Sequence, residues 1–316
     1  MTGSSVVLSL RGLHKSYGDV VAVDGLSLDV FEGEILGLLG PNGAGKTTAI
    51  NLICGLLKSD AGQGIIGGRP QTGNSREGTS LIGLCPQNVV IWESLACLEQ
   101  LEFVGGLYDL RPRVARERAL DLLQAFGLLD RKHKLARTLS GGMKRRLNIA
   151  LALVHDPPIL ILDEPQADLD PQSRILVRDT IRGLAGRKTV ILSTHDMDEA
   201  DRLADRIAIV DHGRLLVLDT PEGLKKQIGP GDVLEIRIAE GQREELDRLL
   251  GALPENLSQL TRHQETLRLV GVEPRQVLLP LLGLLQSSGV QIQDMTIRRV
   301  TPEDVFIALT GRRLRD

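Results

Sequence analysis

Hydrophobic and polar residues follow two different periods along the first two thirds of the chain. Three short, largely apolar runs predict strands buried on both faces, and a helical pattern follows each of them. These runs lie at 35–39, 159–162 and 189–193, and less apolar strands are predicted at 6–10, 26–30 and 206–210. The helical patterns lie at 46–54, 93–126, 172–184 and 197–204. Strands that alternate with helices predict an α/β fold with a parallel core sheet.

The pattern changes at the Gly- and Pro-rich stretch 228–231, which predicts a domain boundary. Beyond it, apolar residues alternate with charged ones at 234–238, as in a half-buried strand. Further strands are predicted at 266–270 and 290–298, and further helices at 242–253, at 275–287 and from Thr301 onward. We therefore predict two domains, 1–230 and 231–316, of which the second is a small α+β domain.

The composition of the 316-residue chain is that of a globular protein, with 42% hydrophobic and 25% charged residues. A net charge of −3 and an aromatic content of 2% argue against a nucleic-acid partner. No apolar run approaches the ~18 residues of a spanning helix, and no signal peptide is recognised. Cys54, Cys85 and Cys97 have no metal-ligand spacing, so we expect reduced, buried thiols. A cytoplasmic protein is expected, which reaches a membrane only through a partner.

A phosphate-binding loop is predicted between the strand at 35–39 and the helix that follows. Residues 40–47 match G-x-x-x-x-G-K-[ST] at every fixed position. The glycines let the backbone curl around phosphate oxygens, Lys46 reaches the β- and γ-phosphates, and Thr47 is placed for Mg²⁺. A Gly-rich turn without a ligand is the alternative. The predicted nucleotide-binding residues are Gly40, Pro41, Asn42, Gly43, Ala44, Gly45, Lys46, Thr47 and Thr48.

The strand at 159–162 ends in two carboxylates, Asp163 and Glu164. Ligands of open α/β sheets bind at the carboxyl ends of the strands, so both side chains are expected near the loop. Asp163 is predicted to hold Mg²⁺, and Glu164 to polarise the attacking water. A helix-capping carboxylate is the alternative for either residue. Kinases, GTPases and many ATPases share these two motifs, and the absence of N-K-x-D weakens the GTPase alternative.

A second anion-binding turn is predicted at Ser140–Gly142, where another helix begins. It lies in Leu139-Ser140-Gly141-Gly142-Met143, which is similar to an LSGGQ signature. Four further motifs stand in a fixed order with it: Tyr17, Cys85-Pro86-Gln87, Ala167-Asp168-Leu169-Asp170 and Ser193-Thr194-His195. With these motifs, residues from about 6 to 224 resemble the nucleotide-binding subunits of ABC transporters.

The resemblance implies a P-loop ATPase domain with a parallel-sheet core, a β-subdomain and a helical subdomain. It also implies a homodimer whose two chains pair head to tail around two ATP molecules. The first loop of one chain and Ser140, Gly141 and Gly142 of the other would close on the same nucleotide. Tyr17 would stack on adenine, and Asp170 belongs to the D-loop near the dimer interface.

The resemblance assigns catalytic roles to three side chains. Gln87, in the Q-loop, would sense Mg²⁺ and the attacking water and signal to the membrane partner. His195 would hold the γ-phosphate and orient the water together with Glu164. Three departures from the family pattern are present: Met143 replaces Gln, and Gln166 and Asp168 replace Thr and Gly around the D-loop. Met143 leaves the Ser-Gly-Gly backbone intact, so anion binding is expected to survive.

Residues 233–316 resemble the C-terminal extension of daunorubicin-resistance-type exporter ATPases. Two roles are open for this extension: it supports the dimer, or it acts as a regulatory sensor. We therefore predict an ATPase subunit that uses ATP and Mg²⁺ to drive an integral-membrane permease from the cytoplasmic face of the membrane. The apolar loop 89–92 is either a permease site or core. A soluble ABC-type ATPase acting on ribosomes or DNA is the alternative, disfavoured by the single ATPase unit. The cargo stays open, because cargo contacts would lie in the permease.

Overall fold

The computed structural model describes residues 5–71, 80–228, 232–239, 241–242, 261–263, 266–272 and 274–310. The chain forms two compact units, Met1–Thr220 and Pro221–Asp316, so the division falls earlier than the predicted 230/231. The reason is the helix Pro221–Ile228, which packs against the last helix, Pro302–Thr310, within the second unit. Leu224 is completely buried there. The Gly/Pro cluster marks only the end of this helix.

The described elements of the first unit begin with a β-rich segment that contains one helix. These are β1 (Val6–Tyr17), β2 (Val20–Phe31), β3 (Ile35–Leu39), α1 (Lys46–Ile53), β4 (Ala61–Ile66), β5 (Arg69–Pro70) and β6 (Ile82–Cys85). A helical segment follows, with α2 (Cys97–Leu107), α3 (Pro112–Ala125), short 3₁₀ turns at Leu129–Arg131 and Ala136–Thr138, and α4 (Gly141–Leu153). The unit closes with β7 (Ile159–Asp163), α5 (Pro171–Arg182), β8 (Thr189–Thr194), α6 (Met197–Leu203), β9 (Arg206–Asp211) and β10 (Arg214–Asp219).

Six strands form the core sheet in the order β10-β9-β3-β8-β7-β6. The last five of these strands are parallel to their neighbours, whereas β10 pairs antiparallel with β9. Alternate residues of β7 enter two different cores. Ile159 and Ile161 pack with α1 and β1, whereas Leu160 and Leu162 pack with α4. Both faces of the sheet are therefore buried, as the apolar runs predicted.

A four-stranded antiparallel sheet, in the order β2-β1-β4-β5, shares one of these cores. Its strands β1 and β2 form a long hairpin, of which the sequence predicted only 6–10 and 26–30. The register of this hairpin shifts between Leu10 and Leu13 and again before Lys15. Each shift moves the side chains of the next segment to the opposite face, so the alternation of apolar residues breaks there.

The helical pattern predicted at 93–126 is two helices, α2 and α3. The first ends at Leu107, Asp109 adopts a left-handed φ of 59°, and Pro112 opens the second. Proline is accepted in the first turn of a helix but not in its interior, so the chain breaks where the apolar pattern continues. Both helices and α4 contribute to one core, in which Phe126 is completely buried.

The second unit has a four-stranded antiparallel sheet in the order β12-β13-β11-β14. Its described elements are α7 (Pro221–Ile228), β11 (Asp232–Ile238), β12 (Thr261–His263), β13 (Thr266–Val272), α8 (Pro274–Ser287), β14 (Ile292–Arg299) and α9 (Pro302–Thr310). Leu234 and Ile236 pack with Leu281 and Leu285 of α8, as the half-buried alternation predicted. The helix predicted at 242–253 lies almost wholly outside the described residues.

All three cysteines are buried and unpaired, as expected. Burial raises the pKa of Cys54 to about 12 and that of Cys85 to about 11, so both thiols stay protonated at neutral pH. Among the described residues, no helix has the length and apolarity needed to cross a membrane.

Candidate functional site

The loop between β3 and α1 packs so closely against neighbouring backbone that glycine is required at two positions. A Cβ atom on Gly40 would lie 2.2 Å from the carbonyl oxygen of Val210, and one on Gly45 would lie 2.1 Å from that of Ala22. Gly45 also has a φ of 95°, in the left-handed region that favours glycine. The loop leads directly into α1, whose first N–H groups have no acceptor within the helix. This is the geometry of an anion-binding helix N-terminus.

Lys46 is folded back onto the same loop and is almost completely buried. Its Nζ donates to the carbonyl oxygens of Gly40 and Pro41, at 2.8 and 3.0 Å. It also lies 3.6 Å from Glu164 Oε1. Burial lowers the pKa of Lys46, while the charges of Glu164 and Asp163 act in the opposite direction. A buried cation beside unfilled helix N–H groups is well placed to receive phosphate oxygens.

Asp163, the last residue of β7, is held between two hydroxyl groups. Thr47 Oγ1, on α1, donates to Asp163 Oδ2 at 2.9 Å. Ser193 Oγ, on β8, donates to Asp163 Oδ1. Because β7 and β8 are parallel neighbours and pair at Asp163 and Ser193, both side chains reach the same sheet edge. The carboxylate and the loop hydroxyl predicted for Mg²⁺ are therefore side by side.

Glu164 comes directly after β7 and has a left-handed φ of 50°. Its N–H donates to Ser193 Oγ at 3.1 Å. His195 Nδ1 lies 3.0 and 2.9 Å from the two carboxylate oxygens of Glu164, so this nitrogen carries the proton that is shared with them. The Glu164 side chain is buried, whereas that of His195 is nearly half exposed. The histidine therefore holds the buried carboxylate, while much of its own side chain remains accessible.

The second predicted turn lies at the N-terminus of α4. Ser140 is its N-cap, and Ser140 Oγ accepts a hydrogen bond from the N–H of Met143 at 3.3 Å. A Cβ atom on Gly141 would meet nothing within 4 Å, so this residue is open to a ligand. In the described part of the chain, no hydrogen bond or ion pair joins this turn to the P-loop. One chain therefore has two separate helix N-termini at which the sequence predicted anion binding.

Three further predicted residues are Asp170, Tyr17 and Gln87, of which Asp170 lies beside Gly142. Asp170 is the N-cap of α5 and accepts from the N–H groups of Gln172 and Ser173, each at 3.0 Å. The hydrogen bonds from Ser173 lower the pKa of Asp170. Tyr17 ends β1 with half of its surface exposed. Gln87 is exposed after β6, and its side chain is not brought into hydrogen-bond contact with Asp163.

Sequence reasoning missed two side chains that organise this site. Ser193 was quoted only as part of the histidine motif, yet its hydroxyl binds both Asp163 and the backbone of Glu164. Arg145, on α4, is buried among the backbone carbonyls of the Q-loop and the Glu164 turn. The only sequence signal was its place in the basic run Lys144–Arg146, where charged residues ordinarily face solvent.

The described residues fit a magnesium nucleotide. The free N–H groups of α1 and the Lys46 ammonium suit phosphate oxygens. The Thr47 hydroxyl and the Asp163 carboxylate supply the hard oxygen ligands that Mg²⁺ prefers, with room for water and phosphate in its remaining positions. No cluster of three His, Cys, Asp or Glu ligands occurs among the described residues, so an all-protein metal cage is absent there.

Known proteins resemble the chain over nearly its full length. Residues 23–167 match the ABC transporter family. The chain is 40% identical to daunorubicin resistance ATP-binding protein DrrA2 of Streptomyces coeruleorubidus, over 96% of this chain and 94% of that protein. It is 40% identical to Nod factor export ATP-binding protein I of Sinorhizobium fredii, over 99% and 88% of the two chains. It is 34% identical to linearmycin resistance ATP-binding protein LnrL of Bacillus subtilis, over 98% and 100%.

Solved structures resemble about two thirds of the chain. An ATP-binding subunit of an ABC transporter, 28% identical, superposes with a TM-score of 0.65 over 70% of this chain and 92% of its own. A dimeric ATP-binding cassette in a post-hydrolysis state with bound ADP and Pi, also 28% identical, superposes with a TM-score of 0.62 over 67% and 98%.

The chain therefore belongs to the ATP-binding proteins of ABC transporters. The family match at residues 23–167 includes the P-loop, the Asp163–Glu164 pair and the Ser140 turn. Alignment with these resistance and export ATP-binding proteins extends through the second unit as well as the first. The chain is an ATP-hydrolysing subunit of the exporter class within this family.

Proposed function

We propose that two copies of this chain form a head-to-tail dimer that hydrolyses Mg·ATP at two composite sites and thereby powers a membrane permease. The observation that carries the proposal is the presence of two helix N-termini suited to anions, which share no hydrogen bond or ion pair among the described residues of one chain. Loop 40–47 has the lysine and the carboxylates, whereas Ser140–Gly142 has an open helix N-terminus and no acid or base of its own. A second copy would bring the missing half to each nucleotide.

The proposed chemistry is phosphoryl transfer to water, in which the protein positions groups and stabilises charge. Lys46, the α1 N–H groups and the Ser140 turn of the other copy would neutralise the γ-phosphate. Glu164, braced by His195, would orient the attacking water and receive its proton. Thr47 and Asp163 are the residues that would hold Mg²⁺, which would supply positive charge to the phosphates.

The proposed permease contact is an apolar groove beside the Q-loop. A cavity of about 300 Å³ is lined in part by Pro86, Val90, Trp92 and Tyr108. Four of its lining residues, Leu56, Val90, Trp92 and Tyr108, are large and exposed hydrophobic residues. The exposed ring of Phe103 packs edge-on against Trp92. Of the loop 89–92, only Ile91 packs against the core, so the surface alternative is favoured for its other residues. An apolar patch next to Gln87 suits an amphipathic segment of a permease on the cytoplasmic side of the membrane.

The composite site can be tested by mixing two inactive variants, Lys46→Ala and Ser140→Arg. Each homodimer has two damaged sites, so each is expected to be nearly inactive. In a mixed dimer, the intact P-loop of the Ser140→Arg chain faces the intact turn of the Lys46→Ala chain, and one whole site is rebuilt. We expect ATPase activity to return, or at least nucleotide trapping if turnover needs both sites. Heterodimers that form and show neither would falsify the in-trans arrangement.

The docking groove can be tested by the variants Trp92→Asp and Tyr108→Asp, since both residues line the groove and are exposed. A charge in the groove should abolish co-purification with the permease from membranes, because the apolar contact is lost. The ATPase rate of the free protein should stay within about twofold, since neither residue contacts the site. Leu216→Asp, a change at a similarly exposed position on β10, is the matched control. Permease binding that survives both groove variants would move the docking site elsewhere.

A further inference from the structure

We propose that Arg145 is a positioning residue for hydrolysis, which fixes the backbone of Glu164 and of the Q-loop within its own chain. The inference rests on the proposed function, since Glu164 and Gln87 act there on the nucleotide. Arg145 itself touches neither phosphate nor water in this arrangement. It is 3% exposed and lies on α4, five residues after the N-cap Ser140.

All five N–H donors of the Arg145 guanidinium are used, and every acceptor is a backbone carbonyl. Nη1 donates to Pro86 and Gln87, each at 2.7 Å. Nη2 donates to Asp163 at 2.5 Å and to Glu164 at 2.6 Å, and Nε donates to Pro165 at 3.3 Å. One side chain therefore ties the Q-loop to the turn that carries the catalytic carboxylate. A planar guanidinium holds this arrangement in a rigid fork, which an ammonium cannot reproduce.

The Glu164 turn needs such support. Glu164 has a left-handed φ of 50°, which L-residues other than Asn and Asp rarely adopt. Strained backbone persists only where surrounding groups hold it. Ser193 holds the N–H of Glu164, at 3.1 Å, and Arg145 holds its carbonyl oxygen. The direction of the carboxylate follows from this backbone, so a loosened turn displaces the group that orients water.

The Q-loop is held at a second point from the same helix. Asn148, one turn after Arg145, accepts from the N–H of Val90 at 3.2 Å and donates to Cys85 Sγ at 3.2 Å. Arg145 and Asn148 thus form hydrogen bonds with the segment from Cys85 to Val90 on both sides of Gln87. In the described part of the chain, no carboxylate lies within ion-pair distance of Arg145. Every hydrogen bond of this buried cation goes to a backbone carbonyl, which ties its placement to these backbone segments.

The first test is the kinetics of Arg145→Lys. A lysine keeps the charge but cannot bridge the two segments, so kcat should fall by about 10- to 100-fold, the scale of a small misplacement of reacting groups. The KM for ATP should stay within about threefold, because the P-loop is untouched. Arg146→Lys is the matched control: it lies on the same helix, and its guanidinium donates to the carbonyl oxygen of Phe126, away from both segments. If Arg145→Lys lowers ATP affinity, kcat and the melting temperature together, Arg145 only stabilises the fold, and the proposal is wrong.

The second test is a double variant with Glu164→Gln. If Arg145 acts through Glu164, Arg145→Lys should remove little further activity from the Glu164→Gln protein, so the two losses will not multiply. Independent effects would give a product of the two fold-changes and contradict the proposal. Trapping of ATP by both proteins serves as the folding control.

The third test separates Arg145 from the in-trans arrangement on which it rests. Arg145→Lys is placed in the Lys46→Ala chain, which is then mixed with Ser140→Arg. The rebuilt site uses Glu164 and Gln87 of the Ser140→Arg chain, whose Arg145 is intact, so activity should return as fully as without the extra change. Loss of recovery only when Arg145→Lys is present would show that Arg145 acts through the partner's nucleotide and would overturn the proposal. Loss of recovery in both mixtures would instead refute the composite site.

Discussion

Asp304 joins the last helix of the second unit to its sheet, and replacing it by Asn should destabilise that unit strongly. The carboxylate is completely buried and accepts from Arg298 at 2.7 and 2.8 Å, from Arg268, and from the N–H and hydroxyl of Thr301 at 2.6 and 2.9 Å. The amide introduced by Asp304→Asn would carry no charge and would turn an NH₂ group toward guanidinium donors. Glu235 stays within 3.5 Å of Arg268 and 3.1 Å of Arg298.

The expected decrease in the free energy of unfolding of the second unit follows from this geometry. Removing one partner of a buried ion pair costs about 3–5 kcal/mol. Arg298 is 30% exposed and Glu235 remains, so the lower end, about 3 kcal/mol, is expected. A domain of this size loses about 4–8 °C in melting temperature per kcal/mol, so the unit should melt about 12–24 °C lower. Asp304→Asn should thus remove a large part of its stability.

The measurement is denaturant and thermal unfolding of the full chain. The single tryptophan, Trp92, reports the first unit, whereas far-UV circular dichroism reports both, so the two transitions can be separated. Asp294→Asn, an exposed change on β14, is the matched control and should shift the transition by less than about 0.5 kcal/mol. A loss below about 1 kcal/mol for Asp304→Asn would mean that the ion pairs are no stronger than surface pairs.

The same network predicts a pH dependence. Burial alone would raise the pKa of Asp304, but hydrogen bonds from Arg298 and Thr301 and the arginine charges hold it below the ordinary value. A carboxyl whose pKa is lower in the folded state stabilises the fold above its unfolded pKa of about 3.9 and loses this effect as pH falls through the folded value. The stability difference between wild type and Asp304→Asn should therefore be constant near neutrality and shrink below about pH 4. A difference that grows on acidification would reverse the sign of this reasoning.

Three further outcomes are expected. The Glu164→Gln protein should bind ATP, but its hydrolysis rate should be about 10²- to 10⁴-fold lower, because the amide cannot take a proton from water. It should accumulate as an ATP-bound dimer on gel filtration. A variant that stays monomeric with ATP and hydrolyses it normally would exclude the proposed role of Glu164. His195→Ala should lower kcat with little change in ATP affinity by titration, since the imidazole braces Glu164 rather than the loop; an equal rise in KM would contradict this. A chain that ends at Thr220 should keep its affinity for ATP. A chain that ends at Gly231 should aggregate more than the shorter one, as measured by light scattering, because Leu224 loses the contacts that bury it. Equal solubility of the two truncated chains would contradict the assignment of α7 to the second unit.

The secondary-structure predictions were most accurate where the local hydrophobic pattern agrees with the burial of the element. The runs at 35–39 and 159–162 are strands with every residue buried, because a strand between two helical layers has no polar face. The prediction was weaker where pairing partners decide the structure. The second half of β1 is polar and partly exposed, and it is a strand because β2 and β4 pair with it. Strand β10, which follows a turn at His212-Gly213, was not predicted at all.

The sequence by itself determined the chemistry that this chain can offer, because motif spacing is a local property. The spacing of Gly40, Gly45 and Lys46 predicted a phosphate-binding loop, and the apolar run before Asp163 and Glu164 predicted that they end a buried strand. Only the tertiary structure decided how these groups are held, because Ser193, His195 and Arg145 reach them from elements far away in sequence. A basic run gives no sign that one of its arginines points inward, since burial depends on where the helix packs.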